Sequence, residues 1–223
     1  MALPHARKRF GRVSVLDVLT VLVLILAVFL FVRPGSTLHA STTRWLATRS
    51  MQAAVERDWN ELAAVAMPLY DGGGDPEIIE FSDYECPFCR AASPSVDSAV
   101  AAGVRVALVH LPLRIHENAR PAALATICAG RVGRFRELHH FFMTTTAWRT
   151  DTVWSKLPGY MEIAALPEFA SCLGDAEATT QLARHLALAE RIGIDATPRF
   201  FARGRLLIGI PTAGSLRTLA RAR

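Results

Sequence analysis

The stretch Pro76-Glu77-Ile78-Ile79-Glu80-Phe81-Ser82-Asp83-Tyr84-Glu85-Cys86-Pro87-Phe88-Cys89-Arg90 decides the reading of this chain. Ile78, Ile79 and Phe81 make an apolar run of strand length, and the residues from Arg90 to Val104, rich in Ala and Val, read as a helix. Cys86 and Cys89 therefore sit where a buried strand hands over to a helix. A cysteine at a helix N-terminus meets unpaired backbone N–H groups and the positive end of the macrodipole, and both favour thiolate over thiol. The second cysteine lies one turn on, close enough to close a small disulfide with the first. Such a pair does redox chemistry or clips a metal ion, and the rest of the chain has to decide between them.

The chain has 223 residues, enough for one domain of ordinary size plus an appendage. It is 51% hydrophobic, and the excess is concentrated near the N-terminus. Val13 to Val32 reads VSVLDVLTVLVLILAVFLFV, broken only by Ser14, Asp17 and Thr20. At about 1.5 Å per residue that stretch is roughly 30 Å long, enough to span a bilayer. Arg7, Lys8, Arg9 and Arg12 precede it, which predicts that this flank stays cytoplasmic and that the remainder is exported. The expected organisation is a basic flank at 1–12, a transmembrane signal anchor at 13–33, a juxtamembrane spacer or helix at 34–58 and a folded domain at 59–223. A cleaved signal peptide is the competing reading, since Leu38-His39-Ala40 loosely resembles a cleavage site; the run from Val18 to Val32 is long for the apolar core of such a signal. Asp17 lies near the cytoplasmic end of the span, where its charge can reach the interface.

The formal charge is +5, but the basic residues form no stripe, so no nucleic-acid partner is expected. The four cysteines are Cys86, Cys89, Cys128 and Cys172, and in an exported protein that number permits two disulfides.

Beyond the spacer, residues from about Arg44 to Leu62 look helical, and Asp71-Gly72-Gly73-Gly74-Asp75-Pro76 is a loop. A strand at Ile78–Phe81 follows, then the C-x-x-C helix with a kink expected at Pro94. Val104–His110, rich in β-branched residues, is a second strand. The stretch from about 114 to 191 is helical in character. Gly193-Ile194-Asp195-Ala196-Thr197-Pro198 is a turn, and Arg199-Phe200-Phe201 pairs with Arg205–Gly209 as a hairpin across Arg203-Gly204. A last helix runs from about Ala213 to Ala222. The order predicts an α/β domain: a small mixed sheet with helices on its faces and an all-helical insertion.

With these parts in place the sequence resembles the DsbA-like thiol-disulfide oxidoreductases of the thioredoxin-fold superfamily, over roughly Trp59 to Arg223. The residues that carry the resemblance are Ile79 to Arg90, the helical block between the second and third strands, and Gly193 to Pro198. The resemblance implies a thioredoxin fold, a cis peptide bond at Pro198 beside the disulfide, and Thr197 backbone groups free to pair with a substrate strand. It implies that Cys86 is the exposed attacking sulfur and Cys89 the buried one. It places Glu80, six residues before Cys86, as a buried acid that exchanges protons with Cys89. Phe88 stands where the strongest oxidases of the family carry a His; it supplies no charge but offers substrate an apolar surface beside Pro87. Asp83 and Glu85 would oppose a thiolate and are read as solvent-facing. Cys128 and Cys172 are expected to form a structural disulfide, whose loop would contribute roughly 4 kcal/mol on chain-entropy grounds.

The expected function is the introduction of disulfides into exported proteins, by dithiol-disulfide exchange at the extracytoplasmic face of the cytoplasmic membrane. No organic cofactor and no metal is expected; the redox group is the cysteine pair. The expected partners are reduced exported proteins and a membrane protein, quinone-linked in this family, that reoxidises the pair. A membrane-tethered reductase or isomerase remains the nearest alternative, although such reductases usually carry a Trp before the first cysteine, where this chain has Glu85. A structural metal module using Cys86 and Cys89 is more distant: there is no second C-x-x-C, and the adjacent His139 and His140 point apart on a helix. His110, His116 and His185 have no partner pattern and read as surface or packing residues.

Overall fold

The computed structural model describes residues 14–33, 36–149 and 158–221. The basic flank expected at 1–12, Val13 and the Pro34-Gly35 pair lie outside them. Two compact units divide at Thr48 and Arg49.

In the first unit, helix α1 runs from Val15 to Val32. Ser14 caps it: its hydroxyl accepts from the Leu16 N–H, while the Asp17 carboxylate accepts from the Ser14 N–H at 3.0 Å. Asp17 thus starts the helix, which gives its charge a local partner. Among the described residues no helix is long and apolar enough to cross a membrane. The 18 residues of α1 make about 27 Å, against a hydrocarbon core of about 30 Å, so the transmembrane anchor expected at 13–33 is not supported by this helix.

Helix α2 runs from Thr37 to Val65, so the boundary expected between spacer and domain falls inside one continuous helix, and the second compact unit begins at Arg49. That unit carries a five-stranded sheet built from β1 (Met67–Pro68), β2 (Ile78–Ser82), β3 (Val106–His110), β4 (Arg199–Ala202) and β5 (Arg205–Ile208), in the order β1-β3-β2-β4-β5. β2 and β3 are parallel, with Glu80 opposite Leu108; the other pairings are antiparallel. The two-residue β1 has no apolar alternation to announce it. Between β2 and β3 lies α3 (Pro87–Ala101), continuous through Pro94. Between β3 and β4 comes the helical block: α4 (Ala119–Arg131), α5 (Phe135–Thr144), a 3-10 turn at Ala147–Arg149, α6 (Pro158–Ala164), α7 (Pro167–Leu173) and α8 (Ala176–Ile192). The chain closes on α9 (Ala213–Arg221). Gly133, at φ +72°, makes the turn between α4 and α5.

Strand alternation sorts the two faces of the sheet. Ile78, Val106, Leu108, Phe200 and Ala202 join one core with Val96 of α3, Leu216 of α9 and residues of the inserted block. Ile79, Phe81, Val109 and Phe201 join the other with Trp59 and Leu62 of α2 and Leu188 and Ile192 of α8. Glu80 and Ser82 alternate with Ile79 and Phe81, so both fall on the face that carries α3 and Cys89. The fold therefore delivers a carboxyl and a hydroxyl to the underside of the cysteine pair.

Candidate active site

Cys86 is the N-cap of α3 and Pro87 its first helical residue, which has no N–H to leave unpaired. Cys86 and Cys89 are both free thiols, so the structure is the dithiol form. The two sulfurs have opposite surroundings. The Cys89 thiol donates to Cys86, and the backbone N–H groups of Cys89 and Phe88 add to it; against burial, these push the Cys86 thiol down to about 5. Cys89 is pushed strongly up, first by burial, then by its donation to Cys86 and by the charge of Glu80. One thiol is therefore a nucleophile at neutral pH, and the other holds its proton.

Cys86 is not the exposed sulfur expected from sequence: the residue is only 3% accessible. The reason is the turn before β4. The Thr197–Pro198 bond is cis, and the carbonyl of Thr197 stands 3.5 Å from the Cys86 sulfur, accepting from its thiol. Phe88 is the exposed side chain here, at 58%, an apolar surface one residue before Cys89. Glu80 is buried, and desolvation raises its carboxyl to about 7, with a smaller upward push from Asp97.

Asp83 and Glu85 overturn the expectation of solvent-facing residues, being 2% and 8% exposed. Asp83 Oδ1 accepts from the Glu85 N–H at 2.7 Å and the Cys86 N–H at 3.3 Å; Oδ2 accepts from the Leu113 N–H at 2.7 Å and from His116 Nδ1 at 2.8 Å. Glu85 Oε2 accepts from the Asn118 N–H at 2.6 Å. These carboxylates tie the cysteine loop to the β3–α4 connection, a role that satisfies buried N–H groups and so outweighs their unfavourable charge beside a thiolate. His116 is accordingly a partner of Asp83 and not an ordinary surface residue. The available signal was local: an Asp three residues before a helix N-cap is a turn-forming acceptor. On the other side of the loop, Arg90 donates to the carbonyls of Phe142 and Thr145, at 2.5 and 2.9 Å, and so fastens α3 to the inserted block.

Three further histidines are buried in the same unit. His185 accepts the His110 N–H on Nδ1 at 3.1 Å and donates from Nε2 to the Val65 carbonyl at 2.9 Å; His139 Nδ1 pairs with the Tyr84 hydroxyl at 3.2 Å. Burial lowers all three, His185 to about 4 and His139 to about 3. Cys128 of α4 and Cys172 of α7 are bonded, at 2.06 Å between sulfurs, and both are buried. Among the described residues no group of three or more His, Cys, Asp or Glu side chains could hold a metal ion.

The comparisons agree with this geometry. The family model described as thioredoxin matches residues 74–219. Among curated relatives, the Na(+)/H(+) antiporter NhaA 1 of Salinispora arenicola is 32% identical over 133 residues, 57% of this chain but 20% of that protein. The chain thus spans about a fifth of the length of the curated relatives it matches, and antiport is a property of those longer proteins. Among solved structures, a thioredoxin-like oxidoreductase from Silicibacter pomeroyi is 27% identical, with a TM-score of 0.58 over 74% of this chain and 93% of that one. Two more distant structures share the fold: a linker-deleted ScsC from Proteus mirabilis (16% identical, TM-score 0.64, 95% and 97% covered) and α-DsbA2 from Wolbachia pipientis (14%, 0.63, 76% and 94%). One acidified thiol and one that keeps its proton, both at the head of α3, form a pair suited to thiol-disulfide exchange. The chain belongs to the thioredoxin family.

Proposed function

We propose that the protein works outside the cytoplasm as a disulfide donor to exported proteins, held at the cytoplasmic membrane. A substrate thiolate attacks the Cys86 sulfur of the oxidised pair; the Cys86–Cys89 bond breaks and its electron pair leaves on Cys89. A second substrate thiolate then attacks the substrate sulfur of the mixed disulfide, releasing Cys86 as thiolate and a new substrate disulfide. Glu80 supplies the proton that neutralises Cys89. A membrane partner, of the quinone-linked kind, takes two electrons from the Cys86 thiolate and the Cys89 thiol, whose single proton returns to Glu80, and the disulfide is restored. Phe88 and the Thr197–Pro198 turn would meet the substrate chain.

The observation that carries the reading is the acidified Cys86. A thiolate favoured in the dithiol form makes that form more stable, and a pair whose reduced form is stable gives its disulfide away. A reductase is favoured instead by the buried carboxylates of Asp83 and Glu85 beside the cysteine loop, with no compensating charge at Phe88. Attachment to the membrane is argued from sequence, since a basic flank precedes the apolar residues of α1, of which those from Val15 to Leu26 are exposed.

Equilibration of the protein in graded glutathione buffers, with alkylated thiols counted by mass, tests the direction. A potential toward about −120 mV is expected for a donor; a value near about −250 mV or below would sink the oxidase reading in favour of the reductase.

A further inference from the structure

The Asp83 side chain is 0% exposed and lies one hydrogen bond from the backbone of the attacking cysteine. Its donors are the N–H groups of Glu85, Cys86 and Leu113 and the imidazole Nδ1 of His116. The first three are neutral backbone groups. His116 is the one donor that can carry a positive charge, and histidine gains it close to neutral pH. A carboxylate only accepts, so at 2.8 Å from Oδ2 the ring donates. A turn fixes it there: the His116 N–H donates to the Leu113 carbonyl at 3.0 Å, and the Leu113 N–H donates to the same Oδ2 at 2.7 Å. The 113–116 turn thus wraps one carboxylate oxygen, and His116, 16% exposed, stands on the wall of a cleft of about 950 Å³. Direct contacts run without a break from this wall through Asp83 to Cys86. A buried carboxylate in that place opposes a thiolate on Cys86, and Phe88 supplies no charge against it.

We propose that His116 is a positioning residue for Cys86: its ring holds the Asp83 carboxylate and offsets the charge of that group, supplying at one remove the positive charge that the Phe88 position lacks. This role takes Cys86 as the attacking sulfur, as in the exchange given above, and is independent of the direction of that exchange. In the series of contacts the carboxylate lies between the imidazole and Cys86. The pair therefore still disfavours the thiolate, but by less than Asp83 alone. A proton held by His116 makes Cys86 a better thiolate without touching the sulfur. The charged groups that face the pair come from every element around it. Glu85 of the cysteine loop is held by the Asn118 N–H, while Arg114 and Glu117 of the β3–α4 connection, Arg120 of α4, Glu190 of α8 and Asp195 of the turn before β4 line the same cleft. All six stay in place in the variants below, so their fields act alike on each.

The test is the Cys86 titration, read by thiolate absorbance in the reduced full-length protein. His116→Asn keeps an N–H donor near the place of Nδ1 but cannot take up a proton. It should raise the Cys86 midpoint, about 5 in the native protein, by about half a unit to one unit, less than a charge in direct contact would give. His116→Lys, which returns a positive charge without the ring, should bring the midpoint back toward the native value. In an Asp83→Asn protein the same His116→Asn change should move the midpoint by less than about 0.2 unit, because the charge through which His116 acts is gone. A folded His116→Asn protein with the native midpoint would overturn the proposal. A shift of equal size in both backgrounds would overturn it too, since His116 would then act on Cys86 without Asp83. If His116→Asn does not fold, His116→Gln against His116→Lys makes the same comparison, and equal midpoints would overturn it. The reduction potential decides the donor reading separately: a low potential would sink that reading and leave these shifts standing.

Discussion

Asp83→Asn tests whether a buried carboxylate holds the cysteine loop in place. In the native protein this side chain accepts four hydrogen bonds, at 2.7, 3.3, 2.7 and 2.8 Å, from Glu85, Cys86, Leu113 and His116. An asparagine that keeps its oxygen toward Glu85 and Cys86 turns its amide toward Leu113 and His116. The imidazole can change tautomer and accept; the Leu113 N–H cannot, and an unpaired buried donor costs about 1–3 kcal/mol. The two remaining bonds become neutral and lose about 1 kcal/mol each, while removal of a buried charge returns part of the total. The expected loss is about 2–4 kcal/mol, or roughly 4–16 °C in the thermal midpoint of a unit this size. The same substitution removes a negative charge from beside Cys86, so the thiol should become still more acidic, read by thiolate absorbance in a pH titration. Thermal unfolding and thiol titration should thus move in opposite senses: a weaker fold and a stronger nucleophile. A loss under about 0.5 kcal/mol, or a Cys86 thiol that became less acidic, would refute the reasoning.

The Cys128–Cys172 bond closes a loop of separation 44 between buried positions of α4 and α7, so Cys128→Ala with Cys172→Ala should lose about 4 kcal/mol in denaturant unfolding and leave the Cys86 thiol titration unchanged. Acid should weaken the fold through the buried histidines: their folded values lie below the ordinary 6.5, so the unfolded chain takes up protons first, and His185, lowered to about 4, should by itself remove roughly 3 kcal/mol between about pH 6.5 and 4. Glu80 works in the opposite sense. Its carboxyl is raised from 4.5 to about 7, so the stability it leaves intact below pH 4.5 is lost as pH rises through 7, and Glu80→Gln should stabilise the protein at pH 8 by roughly 3 kcal/mol while changing little at pH 4. Unfolding curves for the two proteins that stayed parallel across pH would show Glu80 to be unburied in solution.

Much of this architecture could be read because burial leaves a strong trace in short segments. β2 and β3 are covered on both faces, and their continuous apolar runs announced them; the Gly193–Pro198 turn and Gly204 marked the return to the sheet. β1 carried no such trace, since two residues have no period. The start of α2 was also hidden, because the sequence reads as helix only from about Arg44 and the Ser41-Thr42-Thr43 run before it gives no apolar period.

The site was legible in its reacting groups and misread in their supports, for one physical reason. Cys86, Cys89 and Glu80 are recognised by chemistry tied to spacing, and spacing is a property of sequence. Asp83 and Glu85 act by accepting from the backbone N–H groups of Leu113 and Asn118, and Asp83 also from His116, separated from them by 30 or 33 residues, and only the folded register of β2 beside β3 brings those groups within reach. Charge alone argued that two carboxylates beside a thiolate should face water. That argument weighed Coulomb repulsion, which the surrounding N–H dipoles offset, and omitted the cost of leaving those N–H groups unpaired, which is the larger quantity inside a protein. Acidic residues flanking a helix-capping cysteine are therefore better read first as acceptors for the loop that holds it, and only then as charges acting on the sulfur.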